Sequence, residues 1–205
     1  MINWNDPEFC LLKVRENSLN LELVINQTPE ICLEAVKEDG YALRFVKDQT
    51  PEICLQSVKQ YGLALEYVKE QTHEICLQAV KRTGHALRFV NNQTPEICLE
   101  AVKENGYALA FVINQTSEMC LEAVKQNGFA LEDVKEQTID ICLQAVKQKG
   151  RAFRFVKNQT PLIIHYLKKY NISLYELYKK ENRITISQKE MEKFYNENPH
   201  LLLTL

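Results

Sequence analysis

Threonine recurs at Thr28, Thr50, Thr72, Thr94, Thr116, Thr138 and Thr160, always 22 residues apart, and the residue types between successive threonines keep one order. A unit this short cannot bury a hydrophobic core alone, so the chain must fold as an array of like units stabilised by nearest-neighbour contacts. One copy runs from Thr28 to Gln49, and a weaker one, from Asp6 to Gln27, precedes it in register. Seven full copies fill residues 6–159 without an insertion, and an eighth begins at Thr160 and dissolves after Ile164.

Each copy carries helix start and stop signals. Thr28 suits an N-cap, Pro29 the first helical position, and Glu30 the positive end of the helix dipole. Ile31, Cys32, Ala35 and Val36 form one helical stripe rather than the alternation of a strand. All six glycines (Gly40, Gly62, Gly84, Gly106, Gly128, Gly150) share one position. There they are expected to close the helix in a left-handed conformation, with the next residue, such as Tyr41, folding back on Val36. A second helix of about eight residues is expected through Ala42, Leu43, Phe45 and Val46, and helices this short need stacking to persist. A leucine-rich repeat has similar length, but its leucine and asparagine spacing is missing. The fold class is therefore all-α, an α-solenoid (superhelix) of stacked short helix-turn-helix repeats with capping ends.

Residues 1–27 read as an N-terminal cap and degenerate first repeat, 28–159 as six 22-residue helix pairs, and 160–205 as a partial eighth repeat with a C-terminal helical cap. The first copy turns polar where no earlier repeat covers it: Lys13 replaces the small Ala35-type residue, Ser18 the glycine and Asn20 the alanine. Trp4 and Phe9 shield the rest. At the other end Pro161 to Tyr170 reads as a final long helix, Ser173 with Glu176 as one capping box and Ser187 with Glu190 as another. The closing Leu201 to Leu205 is expected to dock on the array.

The chemistry of catalysis is missing from this pattern. Seven cysteines (Cys10, Cys32, Cys54, Cys76, Cys98, Cys120, Cys142) occupy one repeat position, about one helix spacing apart, too far for a bridge and without a CxxC pair. They read as a buried ladder of reduced thiols, which places the chain in the cytoplasm. The histidines His73, His85, His165 and His200 fall at unrelated positions, no glycine opens a phosphate-binding helix, and acids such as Glu30 and Glu34 lie on a solvated face. No catalytic, cofactor-binding or metal-binding residue is assigned, and neither a cofactor nor a small-molecule substrate is expected. The first residues do not resemble a signal peptide, and no apolar run approaches a membrane span.

The repeated polar residues are expected to serve the scaffold. Lys37, Lys59, Lys81, Lys103, Lys125 and Lys147 follow Glu or Gln by three residues, as weak helix-surface pairs. Glu22, Arg44, Glu66, Arg88, Ala110, Glu132 and Arg154 nearly alternate in sign, as if neighbouring copies paired. The glutamine before each threonine, Gln27 to Gln159, is expected to bond inter-helix backbone. Binding information then lies where copies differ. The position after glycine varies as Tyr41, Leu63, His85, Tyr107, Phe129 and Arg151, and the fifth full copy replaces charge with Ala110 and Ile113 beside Tyr107. These changes make Tyr107, Ala110, Ile113, Tyr41, His85, Phe129 and Arg151 the candidate partner-binding residues. Asp133 stands where other copies carry an aromatic and must reach solvent or pair, for instance with Arg154.

The segments Ala101-Val102-Lys103-Glu104-Asn105-Gly106-Tyr107-Ala108-Leu109 and Ala123-Val124-Lys125-Gln126-Asn127-Gly128-Phe129-Ala130-Leu131 resemble an uncharacterised tandem-repeat family, a domain of unknown function frequent in giant DNA viruses and protists. The resemblance spans residues 6 to about 164. It implies an α-helical repeat protein acting inside a host cell, and it brings no activity or site residue with it. The functional expectation is a non-enzymatic scaffold that binds another protein or itself, as a viral factor engaging host proteins in the host cytoplasm. A self-assembling structural protein is the alternative. Nucleic-acid binding along the lysine ladder is a weaker third reading, since acids flank the lysines and the net charge is -2.

Overall fold

The computed structural model describes residues 3–202. Eight ten-residue helices mark the copies: α1 (Pro7–Glu16), α2 (Pro29–Glu38), α3 (Pro51–Gln60), α4 (His73–Arg82), α5 (Pro95–Glu104), α6 (Ser117–Gln126), α7 (Ile139–Gln148) and α8 (Pro161–Tyr170). Three more follow: α9 (Ile172–Lys180), α10 (Gln188–Glu197) and α11 (Pro199–Leu202). No strand occurs among the described residues. The described residues fall into two compact units, one ending at Val112 and the other beginning at Ile113.

Every long helix from α2 to α8 starts as the sequence implies, its threonine hydroxyl accepting the backbone N–H three residues on, as in Thr28 with Ile31 at 3.3 Å. The second half of each copy differs from expectation. It is a six-residue 3-10 helix, such as Gly40–Phe45, and not an α-helix of eight. The buried set explains the tighter winding: Gly40, Leu43 and Val46 recur every three residues, the period at which side chains of a 3-10 helix eclipse.

The glycines also differ from expectation, because none has a positive φ. The chain break is made one residue earlier, where Asp39 is extended at φ -144 and ψ 114. Glycine is required for space. A Cβ on Gly40 would lie 2.6 Å from the Ser57 carbonyl oxygen, and one on Gly62 would lie 2.5 Å from that of Ala79. The 3-10 helices that begin at Gly40, Gly62, Gly84 and Gly128 therefore press their first backbone unit against the last turn of the next long helix. Small residues line that helix at the contact (Ser57, Ala79, Ala101, Ala145), all buried, and Ser57 Oγ donates to the Gly40 carbonyl at 2.7 Å.

Successive copies are tied by the glutamine before each threonine. Gln27 Nε2 donates to the Phe45 carbonyl at 2.9 Å and to the Leu21 carbonyl at 3.2 Å. Its Oε1 accepts from the Lys47 N–H at 2.9 Å and the Cys32 thiol at 3.7 Å. The amide is thus satisfied on both ends, and its bonds close a contact between copies that hydrophobic packing alone would leave free to slide. The same donation to the following copy recurs at Gln49, Gln71, Gln93, Gln115 and Gln137. The seven thiols are free and buried. A lysine adds a second tie by reaching back one copy, Lys47 Nζ to the Ile25 carbonyl at 2.9 Å and Lys69 Nζ to the Lys47 carbonyl at 2.7 Å.

In the first unit the long helices pack in sequence, and the 3-10 helices from Ser18–Leu23 to Gly84–Phe89 each fill the angle between their own long helix and the next. Beside α1, Trp4 meets Phe9 edge-on at 5.4 Å and its carbonyl accepts from the Cys10 thiol. In the second unit α8 packs on α7, and α9 takes the place of a 3-10 helix. Gln159 finds its partners in the segment beyond α9, donating to the Arg183 carbonyl at 2.8 Å and accepting from the Thr185 N–H at 2.9 Å. The N-cap of α9 is Asn171, so Ser173 and Glu176 do not form the expected capping box, whereas Ser187 and Glu190 do at α10. Leu202 is exposed on α11, and Leu203, Thr204 and Leu205 of the closing run lie outside the described residues.

Candidate interaction surface

With threonine, glutamine, cysteine and glycine used by the frame, the residue after each glycine is the first variable side chain on the 3-10 side. It reaches forward onto the next copy, not back onto its own helix as expected. Tyr41 meets Tyr61 at 4.2 Å between ring centroids and Tyr67 at 6.0 Å. A hydrogen bond with Tyr61, then burial, pushes the Tyr41 hydroxyl up to about 12. His85 meets Phe111 edge-on at 5.8 Å, with Asn105 Nδ2 at 3.3 Å from its Nδ1. Tyr41 and His85 stay half-buried, while Tyr107 and Ala110 lie exposed on the 3-10 helix Gly106–Phe111. In the first unit these side chains form one row over successive 3-10 helices.

Ile113 belongs to the second unit and is 61% exposed. It borders a cleft of about 280 Å³ with Gln115, Cys120 and Lys135. An equivalent cleft of about 290 Å³ lies over Gln49, Cys54 and Lys69 in the first unit, so the cleft is a property of the repeat. Burial raises the cleft thiols Cys54 and Cys120, and in other copies raises Cys32 and Cys142 to about 11, which makes them poor nucleophiles near neutral pH.

The expected sign-alternating pairing between copies does not occur. No ion pair joins Glu22, Arg44, Glu66, Arg88, Glu132 or Arg154 among the described residues. Instead Arg44, Arg88 and Arg154 each lie over the next residue's ring, at 4.5, 4.5 and 4.4 Å from Phe45, Phe89 and Phe155. Asp133 is half-buried and unpaired with Arg154, and burial, then Glu132, raises its carboxyl. The lysine ladder gives pairs at Lys103 with Glu100 (2.8 Å) and Lys125 with Glu122 (4.0 Å), while Glu34 binds Arg15 at 2.8 Å.

Phe129 and Arg151 are brought together. They line an open groove of about 560 Å³ with Lys147, Lys149, Tyr170 and Leu174. Charge is strongly segregated here: residues 147–183 carry ten Lys or Arg and two Asp or Glu, against two and six in 113–146. The groove lysines and Leu174 were missed by reading the copies as equivalent. The available signal was this basic run, which straddles the end of the array at Thr160 and so is diluted by any count that stops there.

These features define the class of the protein: an all-α tandem-repeat protein of solenoid type, whose repeated polar side chains hold the copies together. The chain belongs to the family described as Domain of unknown function (DUF4116), matched over residues 28–72, 50–94, 72–115, 94–137 and 116–160. Successive matches step by one copy and each spans two, the least sequence that contains a complete contact between neighbouring copies. No curated protein matches the chain, and no solved structure does.

Proposed function

We propose that this chain is a non-enzymatic scaffold that binds a protein partner over its row of after-glycine residues. The observation that carries the reading is the division of labour within each copy. Invariant polar positions are consumed by bonds between copies, whereas Tyr41, His85 and Tyr107 change chemistry from copy to copy and remain accessible on a rigid frame. Half-exposed aromatics held by packing are the side chains that anchor protein partners. In the setting that the resemblance to viral and protist repeats implies, the partner is a host protein of the cytoplasm. No helix among the described residues is long and apolar enough to cross a membrane.

The test is selection of peptides tiling a eukaryotic proteome against the intact chain. The resulting binders are measured again on a Tyr41→Ala, His85→Ala, Tyr107→Ala variant whose fold is checked by circular dichroism. Affinity should fall about tenfold or more. Binders indifferent to the substitutions, or an absence of binders at every salt concentration, would end the reading.

A further inference from the structure

The groove of the second unit brings three cations, Lys147, Lys149 and Arg151, to one opening. Two of them are seated on rings, Lys149 4.8 Å from the centroid of Phe129 and Lys147 4.3 Å from that of Tyr166, and beside the groove Arg154 lies 5.3 Å from Phe129 and Lys169 5.7 Å from Tyr170. None of these cations, nor Arg151, forms an ion pair with a carboxylate among the described residues. In the first unit Lys13, Arg15 and Lys103 each hold a glutamate, while Arg44 and Arg88 sit singly on Phe45 and Phe89. Cations held in place but not neutralised form a preorganised anion site, because the ordering of flexible side chains that usually weakens surface ion pairs has already occurred.

Phe129, Val146 and Leu174 give the groove an apolar lining, and Tyr170, which also lines it, is 52% exposed. We infer that the groove binds a short acidic peptide segment of a partner protein, carboxylates on Lys147, Lys149 and Arg151 and one aliphatic side chain against Leu174. This deepens the proposed protein-binding role and rests on it. A single-stranded nucleic acid fits less well for two reasons. Base stacking needs open ring faces, but Phe129 already carries two cations and Tyr170 stacks on Tyr166 at 5.7 Å and 4°. A long polyanion would also meet the acidic residues of 113–146, which repel it.

The experiment uses the intact chain and a fluorescein-labelled twelve-residue peptide of Asp and Glu with one central Leu. The same peptide with Asn and Gln in place of the acids, and a twelve-nucleotide oligouridine, are the competitors. Anisotropy should report binding that weakens steeply with salt. Lys149→Glu with Arg151→Glu should weaken it about tenfold or more, and Lys149→Gln with Arg151→Gln by a smaller factor. Lys37→Glu with Lys59→Glu, the same charge change in the first unit, should leave affinity within about twofold. Equal loss in both charge reversals, tighter binding of oligouridine at the groove, salt-dependent self-association through it, or no peptide binding at low salt would each overturn the inference. Binders selected on the after-glycine row are carried through the same variants. If they still bind while the acidic peptide fails, the groove assignment falls and the scaffold role stands.

Discussion

Substituting Gly62 by alanine separates the two possible reasons for glycine at the helix junction. If the residue served a left-handed turn, asparagine would substitute better than alanine. The structure assigns the reason to space, since the added Cβ would lie 2.5 Å from the Ala79 carbonyl oxygen and 3.1 Å from Thr83 Cβ. An ordinary C···O contact is about 3.3–3.6 Å, so α4 must retreat by roughly 0.8 Å or more at that point. The obstacle is backbone, and its oxygen already accepts the Thr83 N–H at 3.0 Å, so it cannot turn aside. Overpacking of this kind costs about 1–3 kcal/mol. The lower chain entropy of unfolded alanine offsets about 0.4–1 kcal/mol. The net expectation is a loss of about 1–2 kcal/mol, read by urea unfolding followed by circular dichroism. Gly62→Asn should be no better. Gly150→Ala is the comparison, since its nearest neighbours are side-chain atoms of Asn171 and Leu174 and not a backbone carbonyl, and it should cost less than Gly62→Ala. A Gly62→Ala protein as stable as its parent, or an asparagine variant clearly better than alanine, would refute the spatial account.

Three further outcomes are expected. Gln71→Leu removes the partner of the Phe89 carbonyl (2.7 Å) and the Asn91 N–H (3.0 Å), so equilibrium unfolding should show a loss of about 1–3 kcal/mol, with faster hydrogen exchange beginning in that copy. The Cys32 and Cys142 thiols, raised by burial to about 11, have folded pKa values above the unfolded one. Their contribution is therefore full below the unfolded thiol pKa and is lost as pH climbs from about 9 toward 11, and thiol alkylation at pH 8 should stay slow until denaturant is added. His165 is fully buried in α8 with Nδ1 3.2 Å from the Tyr195 hydroxyl of α10, and burial, then Lys169 and Lys168, lowers its pKa. Stability from the neutral ring is present above about pH 6.5 and declines as pH falls below it. Proteolysis in the α10 region should therefore quicken in mildly acidic buffer, and His165→Gln should flatten that pH dependence.

The ten-residue helices, their threonine caps, the buried thiols and the structural use of glutamine were all legible in the sequence, because each depends on short-range spacing that the 22-residue period displays seven times over. Repetition was also the source of the errors. Glycine after a helix has a local explanation, the left-handed turn, and the contact with the next copy that actually requires it lies 17 residues away in sequence, at Ser57 for Gly40. Likewise the alternation of Glu22, Arg44 and Glu66 invited pairing between copies, but arginine found a closer partner in the adjoining ring. The candidates Phe129 and Arg151 stand at variable positions, yet only the packing of α8 on α7 and of α9 on α8 puts Lys147, Lys149, Tyr170 and Leu174 around them. Local periodicity fixes which backbone units form, since caps and apolar stripes act within a few residues. Close approach, and the side chains that share a groove, depend on how units separated by a full copy or more meet, and that is decided by packing in three dimensions.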